Sequence, residues 1–401
     1  MTGLTRDEEA LLAPIERAPI EARTLDWAGV NSGTANLEGL ATMAEKLADA
    51  FAELPGEVTL VEPGEVAKVD ARGDAQAQPH GRHLVLSVRP EAERRVILTG
   101  HMDTVYAKDH PFQTCDWLDG DTLHGPGTAD MKGGLSLLLD GLLAYERSAP
   151  TLGYDVLINS DEETGSLSSN ALIAKLAKDK LFALTYEPAL PDGSMARARP
   201  GSGNYAAVIR GRSAHAGRNP EDGRNALVAA SDLALRLAAG RREGLSVNPA
   251  RIEGGAPNNT VPDLAILHFN VRPRTPELAE AAQAMVEAAI AQVAHLHEVE
   301  IHLHGGVSRP PKPISGKTEA LYGVVSQAAA DLGQAMHWKD TGGVCDGNNI
   351  AACGVPVLDT MGVLGGAIHS PDEFLLASSL APRAGLTALV LHRIDRKGLP
   401  A

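Results

Sequence analysis

Five positions of this 401-residue sequence pair a cation-binding side chain with a place at or just beyond the end of an apolar run. His101 closes Ile97-Leu-Thr-Gly-His101-Met-Asp103-Thr, and Asp130 sits in the glycine-rich segment Gly125-Pro-Gly127-Thr-Ala-Asp130-Met-Lys-Gly-Gly134. Glu163 belongs to Ile158-Asn-Ser-Asp161-Glu162-Glu163-Thr-Gly165. Glu187 ends Thr185-Tyr-Glu187-Pro188, and His369 lies in Gly365-Gly-Ala-Ile-His369-Ser-Pro371. Two imidazoles and three carboxylates suit a pair of zinc-like ions that share one bridging carboxylate. Such a pair polarises a carbonyl oxygen and activates a water molecule. Asp103, two residues beyond His101, is placed to accept a hydrogen bond from the other ring nitrogen and so fix the tautomer. Glu162 and Glu163 are adjacent, and neighbours on extended backbone point to opposite sides. One can therefore bind metal while the other serves as general base.

Those positions need a scaffold that brings strand ends together. Leu37, Leu40, Met43, Leu47 and Phe51 recur at helical spacing, and the segment 1–52 reads as helical. Short apolar runs follow at Val58–Val61, Leu84–Val88, Val96–Thr99, Tyr154–Asn159 and Ala183–Tyr186, with helical segments at Leu135–Tyr145 and Ala171–Ala177. Alternation of strand and helix predicts an α/β fold with a mostly parallel sheet covered on both faces. In such sheets, sites form beyond the carboxyl ends of the strands, so the five positions should converge on one edge.

Near Arg199 the order changes. Tyr205–Arg210, Ala226–Leu237, Leu245–Ile252, Leu264–Val271, Pro276–Ala294 and Val299–Leu303 read β-α-β-β-α-β, a ferredoxin-like α/β sandwich. Pro310-Pro311-Lys312-Pro313 reads as a stiff linker back. The expected layout is one domain in two parts, 1–198 and 309–401, interrupted by an inserted domain at 199–308.

Composition narrows the class. Apolar residues make up 44% and charged residues 22%, which suits a globular protein and excludes a disordered one. A formal net charge of −15 argues against nucleic acid as a partner. Three cysteines cannot build a disulfide framework. No basic start followed by an apolar stretch marks a signal peptide, and no run is long enough to span a membrane, so the expected setting is the cytoplasm.

With those segments in view, the sequence resembles the M20 metallopeptidases, within them the glutamate carboxypeptidase G2-like branch related to acetylornithine deacetylases and succinyl-diaminopimelate desuccinylases. The shared motifs are Gly-His101-Met-Asp103-Thr-Val, Gly-Pro-Gly-x-x-Asp130-x-Lys-Gly-Gly, Asp161-Glu162-Glu163-x-Gly, Glu187-Pro and His369-Ser. The inserted segment adds Gly211-Arg-Ser-Ala-His215-Ala-Gly217 and Pro257-Asn-Asn259-Thr-Val-Pro262. The resemblance implies two Zn2+ per chain, with Co2+ or Mn2+ able to substitute. His101 and Glu187 would hold one ion, Glu163 and His369 the other, and Asp130 would bridge them. Glu162 would be the general base, and Asp103 would orient His101. The peptide after Asp130 would be cis.

The resemblance also makes the insertion a lid and the contact of a homodimer. His215 would support the oxyanion, often in the partner's site. Asn259 and Arg272 would grip a free carboxylate, a task suited to the planar guanidinium fork. The implied activity is hydrolysis of an amide beside a free carboxylate, in a peptide or an N-acyl amino acid. The alternatives are a biosynthetic N-deacylase of the acetylornithine or succinyl-diaminopimelate type, and an inactive metal-binding homologue. Two departures stand out: Cys345 replaces a hydroxyl in Thr341-Gly-Gly-Val-Cys345-Asp346-Gly, and His124 replaces a Tyr or Arg before Gly-Pro-Gly.

Other tempting residues read more simply. Asp161 is expected to be a cap or turn residue. His295-x-His297 and His302-x-His304 flank the last strand of the insertion with no acidic partner evident, so they are not read as a metal site. Cys345 and Cys353 read as buried or loop thiols.

Overall fold

The computed structural model describes residues 3–400. Its centre is a six-stranded sheet in the order Glu57–Val61, His83–Val88, Gly153–Asn159, Arg95–His101, Ala183–Thr185, Val357–Leu358. The first two pairings are antiparallel and the other three parallel. Gly153–Asn159 is buried along its whole length, which is why Val156–Ile158 are consecutive apolar residues rather than an alternating pattern, and its one charge, Asp155, is paired with Arg95 and Lys180. Helix Gly133–Glu146 packs against Leu380–Lys397 within the main core, and helices Asn170–Ala177 and Asp346–Ala352 cover the other face. Arg95–His101 lies between Gly153–Asn159 and Ala183–Thr185, all parallel. The carboxyl ends carrying His101, Glu162–Glu163 and Glu187 are therefore neighbours.

The single helical stretch expected over 1–52 is three helices, Arg6–Leu12, Arg17–Ala28 and Leu37–Phe51. Pro14 ends the first because it offers no backbone N–H and crowds the preceding turn. The first and third start with side-chain caps, Thr5 with Glu8 and Asn36 with Gly39. Between the second and third, Gly33 lies against the Tyr106 carbonyl, where a Cβ would collide.

A second sheet, fully antiparallel, runs Leu245–Gly254, Leu264–Pro273, Ser202–Arg210, Glu300–Arg309. Helices Ala226–Ala239 and Pro276–His297 lie on it, capped by Asn225 and Thr275, and enclose a separate apolar core. Its last strand is longer than the run Val299–Leu303 suggests and ends at Arg309, next to the Pro310-Pro311 linker. The two chain passages joining this unit to the rest pair with each other: Arg199 N–H donates to Lys312 O at 3.2 Å, and Lys312 N–H to Arg199 O at 3.0 Å. Both side chains reach buried Asp359, Arg199 Nε at 2.6 Å and Lys312 Nζ at 3.0 Å.

A small sheet absent from the sequence reading joins Gly365–Gly366, Phe374–Leu376, Thr122–His124 and Asp116–Trp117. Strands of two or three residues are too short to show a period of two. This sheet holds both ends of the loop that carries His369. The edge strand Val357–Leu358 of the central sheet is likewise only two residues long.

Candidate metal centre

The five cation-binding residues gather into two groups that share Asp130: His101, Asp130 and Glu187, and Asp130, Glu163 and His369. Within each group the ligand atoms lie within 4.8 Å of one another. His101 Nε2 is 3.1 Å from Asp130 Oδ1, and His369 Nε2 is 3.3 Å from Asp130 Oδ2 and 3.0 Å from Glu163 Oε2. Glu187 Oε1 is 3.9 Å from His101 Nε2.

Each ligand is held by its own local structure. Asp130 sits in the turn Thr128–Lys132 that opens helix Gly133–Glu146, after Gly127 in the left-handed region (φ 69°), and its peptide bond to Met131 is cis. Glu373 braces this turn: the N–H groups of Ala129 and Asp130 donate to its Oε1 at 3.0 Å, and Gly127 N–H to Oε2 at 3.1 Å. The Tyr106 hydroxyl completes the brace at 2.7 Å. Gly134, one turn on, meets the Tyr186 carbonyl so closely that a Cβ would collide, which brings the Asp130 turn beside Glu187.

Asp103 is fully buried, but its contact with His101 differs from the expected one. His101 Nδ1 lies 3.0 Å from the Asp103 backbone oxygen and 3.4 Å from its carboxylate, so the carbonyl is the nearer acceptor. The carboxylate instead accepts the N–H groups of Glu162 at 3.1 Å and Glu163 at 3.2 Å, and the Thr34 hydroxyl at 2.7 Å. One residue thus fixes the His101 ring and the turn that presents both glutamates. Asp161 is a turn residue: its carboxylate accepts Ser168 N–H at 2.7 Å and the Ser169 hydroxyl at 2.6 Å, closing the loop behind Glu163.

The electrostatics call for a cation. Burial, followed by the Asp130 charge, pushes the Glu163 carboxyl up to about 8, and burial pushes Glu162 up to about 7. Burial, then the charges of Asp130 and Glu162, hold Glu187 well above the usual carboxylate range. Asp130 shifts the other way, because its hydrogen bonds to His101 and His369 outweigh burial. Hydrogen bonds to Asp130 and Glu163 raise His369 to about 11. Burial opposes charge on His101, yet its bonds to Asp103 and Asp130 raise it well above the ordinary value. Three clustered carboxylates with only two imidazoles to neutralise them are costly in a buried site. Hard and borderline divalent ions match this donor set of nitrogen and oxygen atoms.

Glu162 points elsewhere for its partner. Its Oε1 receives Arg309 Nη2 at 2.7 Å, and both side chains are largely buried. Neither Arg309 nor Glu373 was singled out from sequence. The signal for Glu373 was a carboxylate four residues beyond His369, and Arg309 looked like a residue flanking a linker.

The three residues assigned to the insertion lie apart from this group. His215 and Asn259 are exposed neighbours, joined through Ala216 N–H to Asn259 O at 2.9 Å, and among the described residues neither is bonded to the five ligands. Arg272 reaches the glycine-rich loop, donating to Gly342 O at 3.1 Å. Cys345 is buried at the start of helix Asp346–Ala352, and Cys353 is exposed. His297 and His302 do have acidic partners, Asp232 and Glu300 at 2.9 Å each, but no third ligand is close enough among the described residues to complete a site. A cleft of about 790 Å³ opens beside Glu163 between the second sheet and the segments around Val66–Val69, Thr104–Ala107 and Leu167, with Val66, Val69, Val105, Leu167 and Phe269 among its walls.

The profile of peptidase family M20/M25/M40 matches residues 97–393, a span that contains all five ligands. The chain belongs to that family. It is a hydrolytic enzyme of metallopeptidase type. Carboxypeptidase G2 of Pseudomonas sp. is 30% identical over 391 residues, covering 94% of this chain and 90% of that one. A succinyl-diaminopimelate desuccinylase of Methylorubrum populi is 27% identical over 74% of this chain and 82% of its own. The fold matches a tripeptidase of Staphylococcus aureus with a TM-score of 0.74 at 22% identity, over 96% of this chain and all (100%) of that one. No helix among the described residues is long and apolar enough to cross a membrane.

Proposed function

We propose that this protein hydrolyses an amide bond adjacent to a free carboxylate, in a peptide or an N-acyl amino acid, with two divalent ions, zinc by preference, held by His101, Asp130, Glu163, Glu187 and His369. The observation that carries this reading is the sharing of Asp130 by two ligand groups. Ions bound there would polarise the scissile carbonyl and make the attacking water more acidic. Glu162, its side chain largely buried and adjacent to Glu163, takes the proton from that water and returns it to the leaving nitrogen. Asp103 orients His101 and holds the turn that presents both glutamates.

The insertion, 199–308, acts as lid and dimer contact between the two parts of the core domain, 1–198 and 309–401. Exposed Leu227, Val228 and Leu235 on helix Ala226–Ala239 support an interface there. His215 and Asn259, exposed and away from the ligands of their own chain, fit delivery to the partner's site, where His215 stabilises the developing oxyanion and Asn259 joins in holding the substrate. Arg272, already at the Gly342 loop, binds the substrate carboxylate. The carboxypeptidase reading is preferred to a short-chain deacylase because the cleft beside Glu163 is roomy and largely apolar. Free thiols at all three cysteines fit the cytoplasm.

The test is a panel of dipeptides and N-acyl amino acids, each with a free or amidated carboxylate, assayed with zinc-loaded enzyme. Glu162→Gln should lower kcat by about 10²–10⁴ with both metals retained. Arg272→Ala should lower kcat/KM on free acids and leave the poor amidated substrates nearly unchanged. A Glu162→Gln enzyme that loses metal along with activity would instead make Glu162 a ligand.

A further inference from the structure

The carboxylate assigned above as the base is gripped by the last residue of the second sheet. Arg309 Nη2 donates to Glu162 Oε1 at 2.7 Å, to the Glu162 carbonyl at 2.9 Å and to Ser166 Oγ at 3.0 Å. Its Nη1 donates to Asp346 Oδ1 at 2.8 Å and Asn349 Oδ1 at 3.2 Å. Every acceptor belongs to the domain that carries the metal ligands, whereas Arg309 is the last residue of a strand of the second sheet. Its side chain is only 3% exposed, so water does not compete for these bonds.

The geometry is asymmetric about the carboxylate. Arg309 occupies Oε1, while among the described residues no hydrogen bond is made to Glu162 Oε2. A guanidinium held in plane by four other acceptors cannot follow a swinging carboxylate, so it fixes the rotation of the Glu162 head group. Asp346 is fixed in turn by Asn159 Nδ2 at 2.7 Å and by a short bond from Ser166. Just beyond Arg309, the paired passages at Arg199 and Lys312 and their shared anchor Asp359 set where the strand ends.

We infer that Arg309 is a positioning residue for the proposed hydrolysis: it clamps Oε1 of Glu162 so that Oε2 is the oxygen offered to the attacking water, and it ties the position of the base to the end of the second sheet. The inference rests on the reading of Glu162 as the base. An arginine that merely stapled the two units together through Asp346 would make the same contacts with Asp346, so the experiment must separate the two roles.

That experiment is a double-mutant cycle on the zinc-loaded enzyme with Arg309→Lys and Glu162→Gln, with Arg309→Met as a second variant and metal content measured for each. Lys keeps the charge but loses the fork. Arg309→Lys should lower kcat by about 10–10²-fold with KM and metal content little changed, and Arg309→Met by more. In the Glu162→Gln background, Arg309→Lys should cost no further kcat, because the group it positions no longer acts. The same loss in both backgrounds, or a loss confined to KM, overturns the positioning role and leaves Arg309 a staple. A Glu162→Gln enzyme with wild-type kcat overturns the base assignment itself, and the inference with it.

Discussion

Asp359→Asn should be among the most destabilising isosteric changes in this protein. The Asp359 side chain is fully buried, and its neighbours Lys312 and Arg199 are 2% and 8% exposed. One carboxylate oxygen takes both cations, Arg199 Nε at 2.6 Å and Lys312 Nζ at 3.0 Å, and the other takes the Thr185 hydroxyl at 3.3 Å. Burial works against the charged carboxylate, but Lys312 and Arg199 more than offset it and hold the group below its ordinary value. Asparagine keeps the volume and removes the charge, leaving two buried cations uncompensated and an amide N–H₂ to place beside them. Breaking a buried pair in this way costs about 3–5 kcal/mol. With a urea dependence of about 3 kcal/mol per molar, the unfolding midpoint should fall by about 1–1.7 M. Lys312→Met added to Asp359→Asn should restore part of that loss, since one stranded charge disappears. The control is Glu38→Gln, which removes an exposed partner of Lys108 and should leave the midpoint unchanged within error. A midpoint for Asp359→Asn that matches wild type would refute the claim that Asp359 anchors both passages.

Three further outcomes are expected. Dialysis against a strong chelator should abolish activity and lower the thermal unfolding temperature, and zinc should restore both, because ligands that bind only the folded state stabilise it; unchanged unfolding after chelation would count against a bound ion. Gly134→Ala should weaken metal affinity with little effect on the lid, because the new Cβ drives the Asp130 turn away from the Tyr186 carbonyl and so from Glu187; wild-type metal content at limiting zinc would contradict this. Burial opposes charge on Glu8, but Arg393 at 2.7 Å and the Thr5 cap outweigh it and bring its carboxyl from 4.5 to about 2. A lowered folded-state value means that the stability Glu8 contributes is full above about pH 4.5 and fades as pH falls toward 2. The gap in urea midpoint between wild type and Glu8→Gln should therefore be wide at pH 6 and narrow by pH 3, and a pH-independent gap would show that the ion pair contributes nothing.

The sequence by itself determined the parts whose physics is local. Buried strands such as Gly153–Asn159 and Arg95–His101 announce themselves because apolar residues must continue where a sheet is covered on both faces. The β-α-β-β-α-β order of 202–309 is readable because each element is long enough to show its period and both helices carry their own N-caps, Asn225 and Thr275. The cation-binding residues stand out because His and carboxylates at strand ends have little structural reason to recur. The tertiary structure alone decided what depends on contacts between distant segments. The strands Gly365–Gly366 and Thr122–His124 are too short for any pattern, and they form because their partners are present. Glu373 is 243 residues from Asp130, and its two oxygens find three backbone N–H groups of one turn only when the His369 loop folds over it. Asp103 was legible as a partner of His101, but its carboxylate turned to the N–H groups of Glu162 and Glu163, 59 and 60 residues away. Arg309 and Asp359 had no signature, because a charged residue beside a proline run or a strand end looks solvated until the fold closes around it. Spacing along the chain selects side chains by type, but a hydrogen bond at 3 Å is set by packing, and packing is a property of the whole fold.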